Sequence, residues 1–290
     1  MNGRFAARLP LFLLIAHFIA LVFGVIGLLV MLPNPELWNE DPRARDIFTW
    51  SMENAGATHI IFAALTMFTF GVIFLGWAKT SIFFVVSFGL SLTSELVGTG
   101  TGWPFGNYEY TNYLGYKVLD RVPYSIPLSW FYMGFASYLL GRALVQRFGW
   151  PRPTLSSLLV GAGLLTVWDL VLDPAMAHEN VAVKFWIWDQ TGPYFGMPLI
   201  NFLGWGATGL IFMAVARLLW RSDIDTRTIP IFVPFAIYVL NTIWAMILAA
   251  DVGLWPAILL AAVLGLVPAF LAFQQREKPM PFELGLAPDA

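Results

Sequence analysis

Cysteine is absent from this 290-residue sequence, and histidine occurs only at His17, His59 and His178. Without cysteine, the chain can form no disulfide and has no thiolate to act as a nucleophile, haem ligand or iron–sulfur ligand. Three imidazoles are too few for a membrane di-iron hydroxylase or desaturase. Position 182 is alanine, so His178-Glu179 does not begin an H-E-x-x-H zinc motif. The sequence therefore predicts neither a metal ion nor another cofactor.

Charge is also scarce. Charged residues make up 12% of the chain and hydrophobic residues 58%, with a mean hydropathy of +0.71. Soluble domains average about 25% charged and about 45–50% apolar residues, so this composition indicates a membrane protein surrounded by lipid. A net charge of −2 argues against a nucleic-acid partner. No polar linker or repeat divides the chain, and residues 1–290 are predicted to form a single integral membrane domain.

Long apolar runs predict an all-α fold, a polytopic membrane helical bundle with about eight transmembrane helices. Each run approaches the roughly 20 residues that cross about 30 Å of hydrocarbon. The runs lie at about residues 9–32, 58–78, 81–98, 126–146, 155–173, 197–219, 229–250 and 253–273. The first is longer than the about 7–15 apolar residues of a signal peptide, so it is interpreted as a retained span.

The positive residues predict how this bundle is oriented. With a cytoplasmic N-terminus, one side would hold Arg4, Arg8, Lys79, Arg142, Arg147, Arg152, Arg217, Arg221, Arg227, Arg276 and Lys278. The other side would hold only Arg43, Arg45, Lys117, Arg121 and Lys184. The positive-inside rule then predicts that both termini are cytoplasmic, in a multi-pass protein of the inner (cytoplasmic) cell membrane. The long loops at residues 33–57, 99–125 and 174–196 would be external and would fold over a cavity mouth.

Three carboxyl groups lie within or at the ends of these runs. Glu95, after Ser94, is costly to insert in lipid, so it is expected to face the bundle interior. Asp169 and Asp173 are four residues apart and share one helix face, where repulsion favours a proton on one of them. The alternatives are a structural hydrogen bond for Glu95 and, for Asp173, a polar helix end before Pro174.

Other polar and aromatic residues could complete a site. The loop at residues 98–110 has no G-x-G-x-x-G window, and is interpreted as a turn that brings Trp103 and Tyr108 over the carboxyls, with a surface loop as the alternative. His59 is a candidate proton relay at the entrance of the second span. His17 is interpreted as a packed helix contact. Asn201 and Asn241 lie within spans and are expected to form interhelical hydrogen bonds.

Two ordered sets of residues resemble the bacterial and archaeal carotenoid 1,2-hydratases of the CruF type. The first set is Ser94-Glu95, Gly98-Thr99, Thr101-Gly102, Pro104-Phe105-Gly106, Tyr108, Tyr110, Val122-Pro123 and Ile126-Pro127-Leu128-Ser129-Trp130-Phe131. The second set is Trp168-Asp169, Asp173-Pro174, Gly192, Tyr194, Gly196, Pro198, Asn201-Phe202 and Gly204-Trp205. The resemblance covers roughly residues 50–250. It implies addition of water to the terminal double bond of an acyclic carotenoid end, with a lipophilic carotenoid and water as partners and other carotenoid-pathway enzymes as further partners.

This reaction requires a strong acid, a pocket for a tertiary cation and one ordered water. A protonated carboxylic acid supplies the first, and aromatic faces stabilise the cation. Asp169 is predicted to be the acid, assisted by Asp173, while Glu95 positions the water; the exchanged roles of Asp169 and Glu95 are an alternative. Ser94 and His59 are predicted to support the site. The predicted substrate-binding residues are Trp103, Tyr108, Trp130, Trp168, Trp188, Tyr194 and Asn201.

Other functions remain open on the sequence alone. A lycopene cyclase or another isoprenoid enzyme would begin with the same protonation. A prenyltransferase fits less well, because Asp223 and Asp225 are predicted on the opposite side from Asp169. A proton-coupled transporter would use Glu95 and Asp169 as ion sites, but the two halves of the chain show no repeat. A structural membrane subunit is a further alternative.

Overall fold

Apolar helices dominate the computed structural model, which describes residues 3–275 and, from Arg8 onward, their side chains. The helices are α1 (Gly3–Ile26), α2 (Pro42–Leu75), α3 (Trp77–Thr101), α4 (Ser125–Phe148), α5 (Pro153–Ala177), α6 (Ile200–Leu219), α7 (Phe232–Asp251), α8 (Trp255–Ala261) and α9 (Val267–Phe273). A π-helical turn, Ala262–Leu266, joins α8 and α9 into one segment, and Gly27–Met31 extends α1. Short 3-10 helices occur at Pro35–Leu37 and Thr226–Thr228.

The predicted all-α bundle is confirmed. In the described part of the chain, seven helical segments are long and apolar enough to cross a membrane, and α4 is the eighth long helix. Helix α4 is less apolar because it lies inside the bundle, in contact with α2, α3, α5, α6, α7 and α9. Its surface therefore faces protein instead of lipid. Polar side chains such as Ser137 and Tyr132 are tolerated there without lipid contact.

The prediction that residues 33–57 form a loop is wrong from Pro42 onward, where α2 begins. Proline is well suited to the first helical position because its missing N–H would have no partner there. The Asp41 side chain accepts a hydrogen bond from the Arg43 backbone N–H at 2.8 Å and caps the helix. These local signals extend α2 well beyond the apolar run at residues 58–78.

Helix α5 continues to Ala177, so the alternative in which Asp173 is a polar helix end before Pro174 is wrong. Proline lacks the N–H that would bond to the carbonyl of Leu170, four residues earlier. The Tyr194 hydroxyl donates to that carbonyl at 2.9 Å and replaces the missing bond. This contact allows the helix to pass through Pro174 and keeps Asp173 on its last turns.

Within residues 3–275, four short strands fold over one end of the helices. They are β1 (Tyr108–Tyr110), β2 (Lys117–Val118), β3 (Val122–Pro123) and β4 (Trp186–Trp188), with β1 antiparallel to β4 and β2 antiparallel to β3. In the β1–β4 ribbon, Tyr108 lies opposite Trp188 and Tyr110 lies opposite Trp186. Because side chains alternate along a strand, these four rings share the face that turns towards the bundle. We call this end of the bundle, where α3 and α5 end, the site end.

Polar contacts tie the helices together at the opposite end. Arg142 on α4 pairs with Asp223 at 2.8 Å, and Arg147 donates to the carbonyl of Leu271 near the end of α9 at 2.9 Å. The direction of the bundle in the membrane stays a prediction. Of the positive residues behind that prediction, the Arg4 side chain, Arg276 and Lys278 lie outside the described residues.

Candidate active site

A cavity with about 710 Å³ of empty volume lies at the site end, between α2, α3, α4, α5, α6, α7 and the β1–β4 ribbon. Two carboxyl groups line this cavity, those of Glu95 and Asp173. Six indole rings line it as well, those of Trp130, Trp168, Trp186, Trp188, Trp205 and Trp244. The wall is thus mostly aromatic, with a few acidic and amide groups.

Glu95 is only 3% exposed and is surrounded by hydrogen-bond donors. Its Oε2 accepts from the hydroxyl of Tyr108 and, at 2.9 Å, from that of Tyr110. Its Oε1 accepts from the indole N–H of Trp130 at 2.9 Å. Three donors converging on two oxygens are an arrangement suited to a negatively charged carboxylate.

The two phenols beside Glu95 stay in their neutral, donating form. Burial, followed by the charge of Glu95, raises the pKa of Tyr108 well above its ordinary value. The same two causes raise the pKa of Tyr110 well above its ordinary value. Both groups lie in the ribbon, outside the membrane-spanning helices. Their hydroxyls therefore remain donors to Glu95 across the physiological pH range.

The side-chain amide of Asn201 forms hydrogen bonds with both Asp169 and Asp173. Asn201 Nδ2 donates to Asp169 Oδ2 at 2.9 Å and also to Asp173 Oδ2. Trp186 Nε1 donates to Asp173 Oδ1 at 2.5 Å. The other oxygen of Asp169, Oδ1, is buried and has no hydrogen-bond partner among the described residues. Two acidic groups bridged in this way can hold one proton between them more easily than two negative charges.

The two aspartates differ in their access to the cavity. Asp173 lines it, as does Asn201, whereas Asp169 is fully buried behind them and does not reach its wall. The sequence placed Asp169 first as the acid, because it lies deeper in the apolar run. The structure places Asp173 and Glu95, but not Asp169, on the cavity wall, and the roles of the three carboxyls stay a prediction.

The predicted binding residues divide into two groups. Those on the cavity wall are Tyr108, Trp130, Trp168, Trp188 and Asn201. The Trp130 ring stacks on Trp205 with centroids 4.0 Å apart, and Trp168 meets the same ring edge-on at 5.8 Å. These rings form a layered aromatic surface beside Glu95.

Three other predicted residues do not reach the cavity. Trp103 is 67% exposed, and Tyr194 serves the carbonyl of Leu170. Ser94 shares a hydrogen bond of 3.0 Å with Thr208, which joins α3 to α6. Ser94 precedes Glu95 by one residue, and adjacent residues on a helix point in different directions. Ser94 therefore forms a contact between helices beside the site, and its supporting role stays a prediction.

Tyr110, Trp186 and Trp205 belong to the site but were not assigned to it from the sequence. Tyr110 and Trp186 donate to different carboxyls from opposite strands of the ribbon. The alternation Tyr-Glu-Tyr and Trp-Ile-Trp was a signal for two half-buried strands. His59, which the sequence predicted as a supporting residue, lines the cavity. Among the described residues, no group of three or more His, Asp or Glu is arranged to hold a metal ion.

Phe105 lines the cavity and packs closely against Gly204 on α6. A Cβ at Gly204 would lie 2.6 Å from Phe105 Cδ1 and 2.8 Å from the backbone oxygen of Pro104. We expect Gly204→Ala to destabilise the protein by about 1–3 kcal/mol through overpacking. Gly163→Ala is the matched control, since a Cβ there meets nothing within 4 Å. A lower Tm in detergent for Gly204→Ala alone is the expected result, and equal Tm values would contradict this packing.

The fold and cavity define a multi-pass α-helical membrane protein with a buried, acid-bearing aromatic site. A model of the family described as "carotenoid biosynthesis protein" matches residues 55–268, and the chain belongs to this family. The family resemblance expected from the motifs is thereby confirmed. The chain is also 30% identical over 212 residues to the bisanhydrobacterioruberin hydratase of Haloarcula japonica. That match covers 71% of this chain and 64% of the relative, which is less than two thirds of the relative's length. No solved structure matches the chain.

Proposed function

We propose that this protein is a carotenoid hydratase of the cytoplasmic membrane, which adds water across the terminal double bond of an acyclic carotenoid end group. One observation carries the proposal: two carboxyls with different hydrogen-bond surroundings, Glu95 and Asp173, face the same indole-lined cavity. Alkene hydration needs a proton donor and a stabiliser of positive charge. The two carboxyls are suited to these different roles.

Asp173 is the proton donor in this proposal. Its pairing with Asp169 through Asn201 favours one shared proton, and Asp173 is the member on the cavity wall. Transfer of this proton to the less substituted alkene carbon leaves a tertiary cation on its neighbour. Asp169 holds the proton on the pair without touching the substrate. This assignment replaces the sequence-based choice of Asp169 as the direct donor.

Glu95 and the surrounding rings stabilise the cation. In this proposal Glu95 acts as a carboxylate, with its three donors opposing the cost of burying the charge, and that charge opposes the charge of the cation. The stacked faces of Trp130 and Trp205 add cation–π attraction, which is worth about 2 kcal/mol or more when desolvated. Capture by water then completes the reaction. The side chains of Glu95, Trp130 and Trp205 all line the cavity.

The comparisons support the choice of substrate and of water capture. The family concerns carotenoid biosynthesis, and the relative from Haloarcula japonica carries the name of a hydratase. A carotenoid dissolves in lipid, which agrees with a cavity at the end of a bundle of apolar helices. A cyclase would use the same acid and the same cation pocket but would exclude water from the product.

Product mass tests this proposal directly. The chain is expressed in a host that accumulates lycopene or γ-carotene, and the pigments are separated and weighed by mass spectrometry. We expect a new pigment heavier by one water, which is absent with the empty vector and with the Asp173→Asn variant. A new pigment of unchanged mass would instead identify a cyclase. Unaltered pigments from a protein that is present in the membrane would contradict both activities.

A further inference from the structure

A second polar cluster lines the same cavity, apart from the carboxyls. His59 on α2, Tyr132 on α4 and Asn241 on α7 face the cavity, and His17 on α1 lies behind them. All four side chains are buried, and the most exposed of them, His59, is only 8% exposed. Buried polar groups within membrane-spanning helices are costly and commonly functional. The protonation and cation steps proposed above use none of them.

The hydrogen bonds of this cluster run in one direction. His17 Nδ1 lies 2.9 Å from the carbonyl oxygen of His59, so it carries the hydrogen and donates. His17 Nε2 therefore accepts, and Asn241 Nδ2 donates to it at 3.0 Å. The remaining amide oxygen, Asn241 Oδ1, accepts from the Tyr132 hydroxyl at 3.0 Å. The hydroxyl hydrogen of Tyr132 is therefore donated to Asn241, while the hydroxyl oxygen can still accept a hydrogen bond.

His59 also has an atom that can accept a hydrogen bond. Its Nδ1 lies 3.4 Å from the carbonyl oxygen of Ala55 on the preceding turn, which assigns the hydrogen to Nδ1. Its Nε2 then carries a lone pair and forms no hydrogen bond with any residue that the structure describes. The rings of His59 and Tyr132 flank His17 at centroid distances of 6.0 and 6.3 Å. This side of the cavity thus presents two hydrogen-bond acceptors.

Two acceptors on the wall of one cavity fit a ligand that donates two hydrogens, and water is the smallest such ligand. A buried water typically forms hydrogen bonds with two to four polar partners. A ligand hydroxyl has only one hydrogen, so it could donate to only one of these two acceptors. We propose that His59 Nε2 and Tyr132 Oη hold the water that attacks the cation, an inference that rests on the hydratase function proposed above. With both hydrogens held, the lone pairs of the water point into the cavity.

The proton balance of the attack follows from this arrangement. A C–O bond forms, one O–H bond of the water breaks, and that proton passes to His59 Nε2. The proton that Asp173 gave to carbon is replaced by the one on His59, through exchange within the cavity, before the next turnover. The net change is the addition of one water. Without a held water, the cation can only lose a proton to a carboxylate and return to an alkene.

Deuterium oxide separates these two fates of the cation. Membranes containing the protein are incubated with lycopene in deuterium oxide, and both the hydrated product and the deuterium in recovered lycopene are measured. For His59→Phe we expect the ratio of deuterated lycopene to hydrated product to rise about tenfold or more, as for loss of a positioned acid–base group. His59→Gln, which retains an acceptor oxygen, is expected to restore part of the hydration. An equal fall of both products, or unchanged hydration, would overturn the proposal.

Tyr132→Phe provides an independent variant that keeps the ring and removes the accepting oxygen. Tyr238→Phe is its matched control, because the fully buried Tyr238 hydroxyl donates to the carbonyl of Leu164 and does not line the cavity. Only Tyr132→Phe is expected to shift the ratio. If both variants shift it equally, the effect is one of packing and the water site is rejected. If the wild-type protein gives neither hydration nor exchange, the proposed hydratase function itself fails.

Discussion

Asp173→Asn is expected to lower the rate of hydration by about 10²–10⁴-fold, the usual contribution of a positioned general acid. Asparagine cannot supply the proton, but its oxygen can still accept the hydrogen bond that Trp186 donates to Asp173. Its Nδ2 group would then face the donor Asn201 Nδ2, so we expect a loss of about 1–3 kcal/mol in stability while the helices stay in place. The rate is measured as hydrated carotenoid formed per unit of membrane-inserted protein.

Asp169→Asn is the matched comparison, since it removes the neighbouring carboxyl from the same helix face. Asp169 does not line the cavity, and Asn201 lies between it and the substrate position. We therefore expect a smaller loss of activity than for Asp173→Asn. The reverse order, with Asp169→Asn inactive and Asp173→Asn active, would identify Asp169 as the direct donor and contradict the role of Asp173.

The bundle could be predicted from the sequence because each apolar run is a local signal. Lipid requires about 20 such residues per helix, so length and hydropathy locate the spans. The start of α2 could not be found in this way, because Asp41 and Pro42 act through capping instead of hydropathy. Passage of α5 through Pro174 was also hidden, since it depends on Tyr194, which lies twenty residues further along the chain.

The site was predictable in its residue types but only partly in its geometry. Helical spacing places Asp169 and Asp173 on one face, yet the rotation of α5 and the position of Asn201 decide which one reaches the cavity. The roles of Tyr110 and Trp186 depend on the pairing of two strands far apart in the chain. Such pairing depends on tertiary packing, and no local pattern near either residue identifies its partner.

Glu95 variants are expected to affect both activity and stability. Glu95→Leu would leave the donors Tyr108, Tyr110 and Trp130 without their acceptor, at a cost of about 1–3 kcal/mol for each buried group. We expect a large decrease in Tm and loss of hydration. Glu95→Gln keeps one accepting oxygen and should fold better, while losing the charge that opposes the cation. For this variant we expect hydration to fall about 10²–10³-fold, similar to the loss of one preorganised electrostatic group.

Ser94→Ala provides the control for changes on this part of α3. It removes only the hydrogen bond to Thr208, which contributes about 0.5–1.5 kcal/mol, and leaves the cavity wall unaltered. Its rate per folded protein should therefore equal that of the wild type. A Glu95→Gln protein with full activity would show that the cation needs no opposing charge from Glu95. In that case Tyr108 and Tyr110 would serve to anchor the β1–β4 ribbon to α3, Trp130 would join α4 to α3, and the aromatic faces alone would have to stabilise the cation.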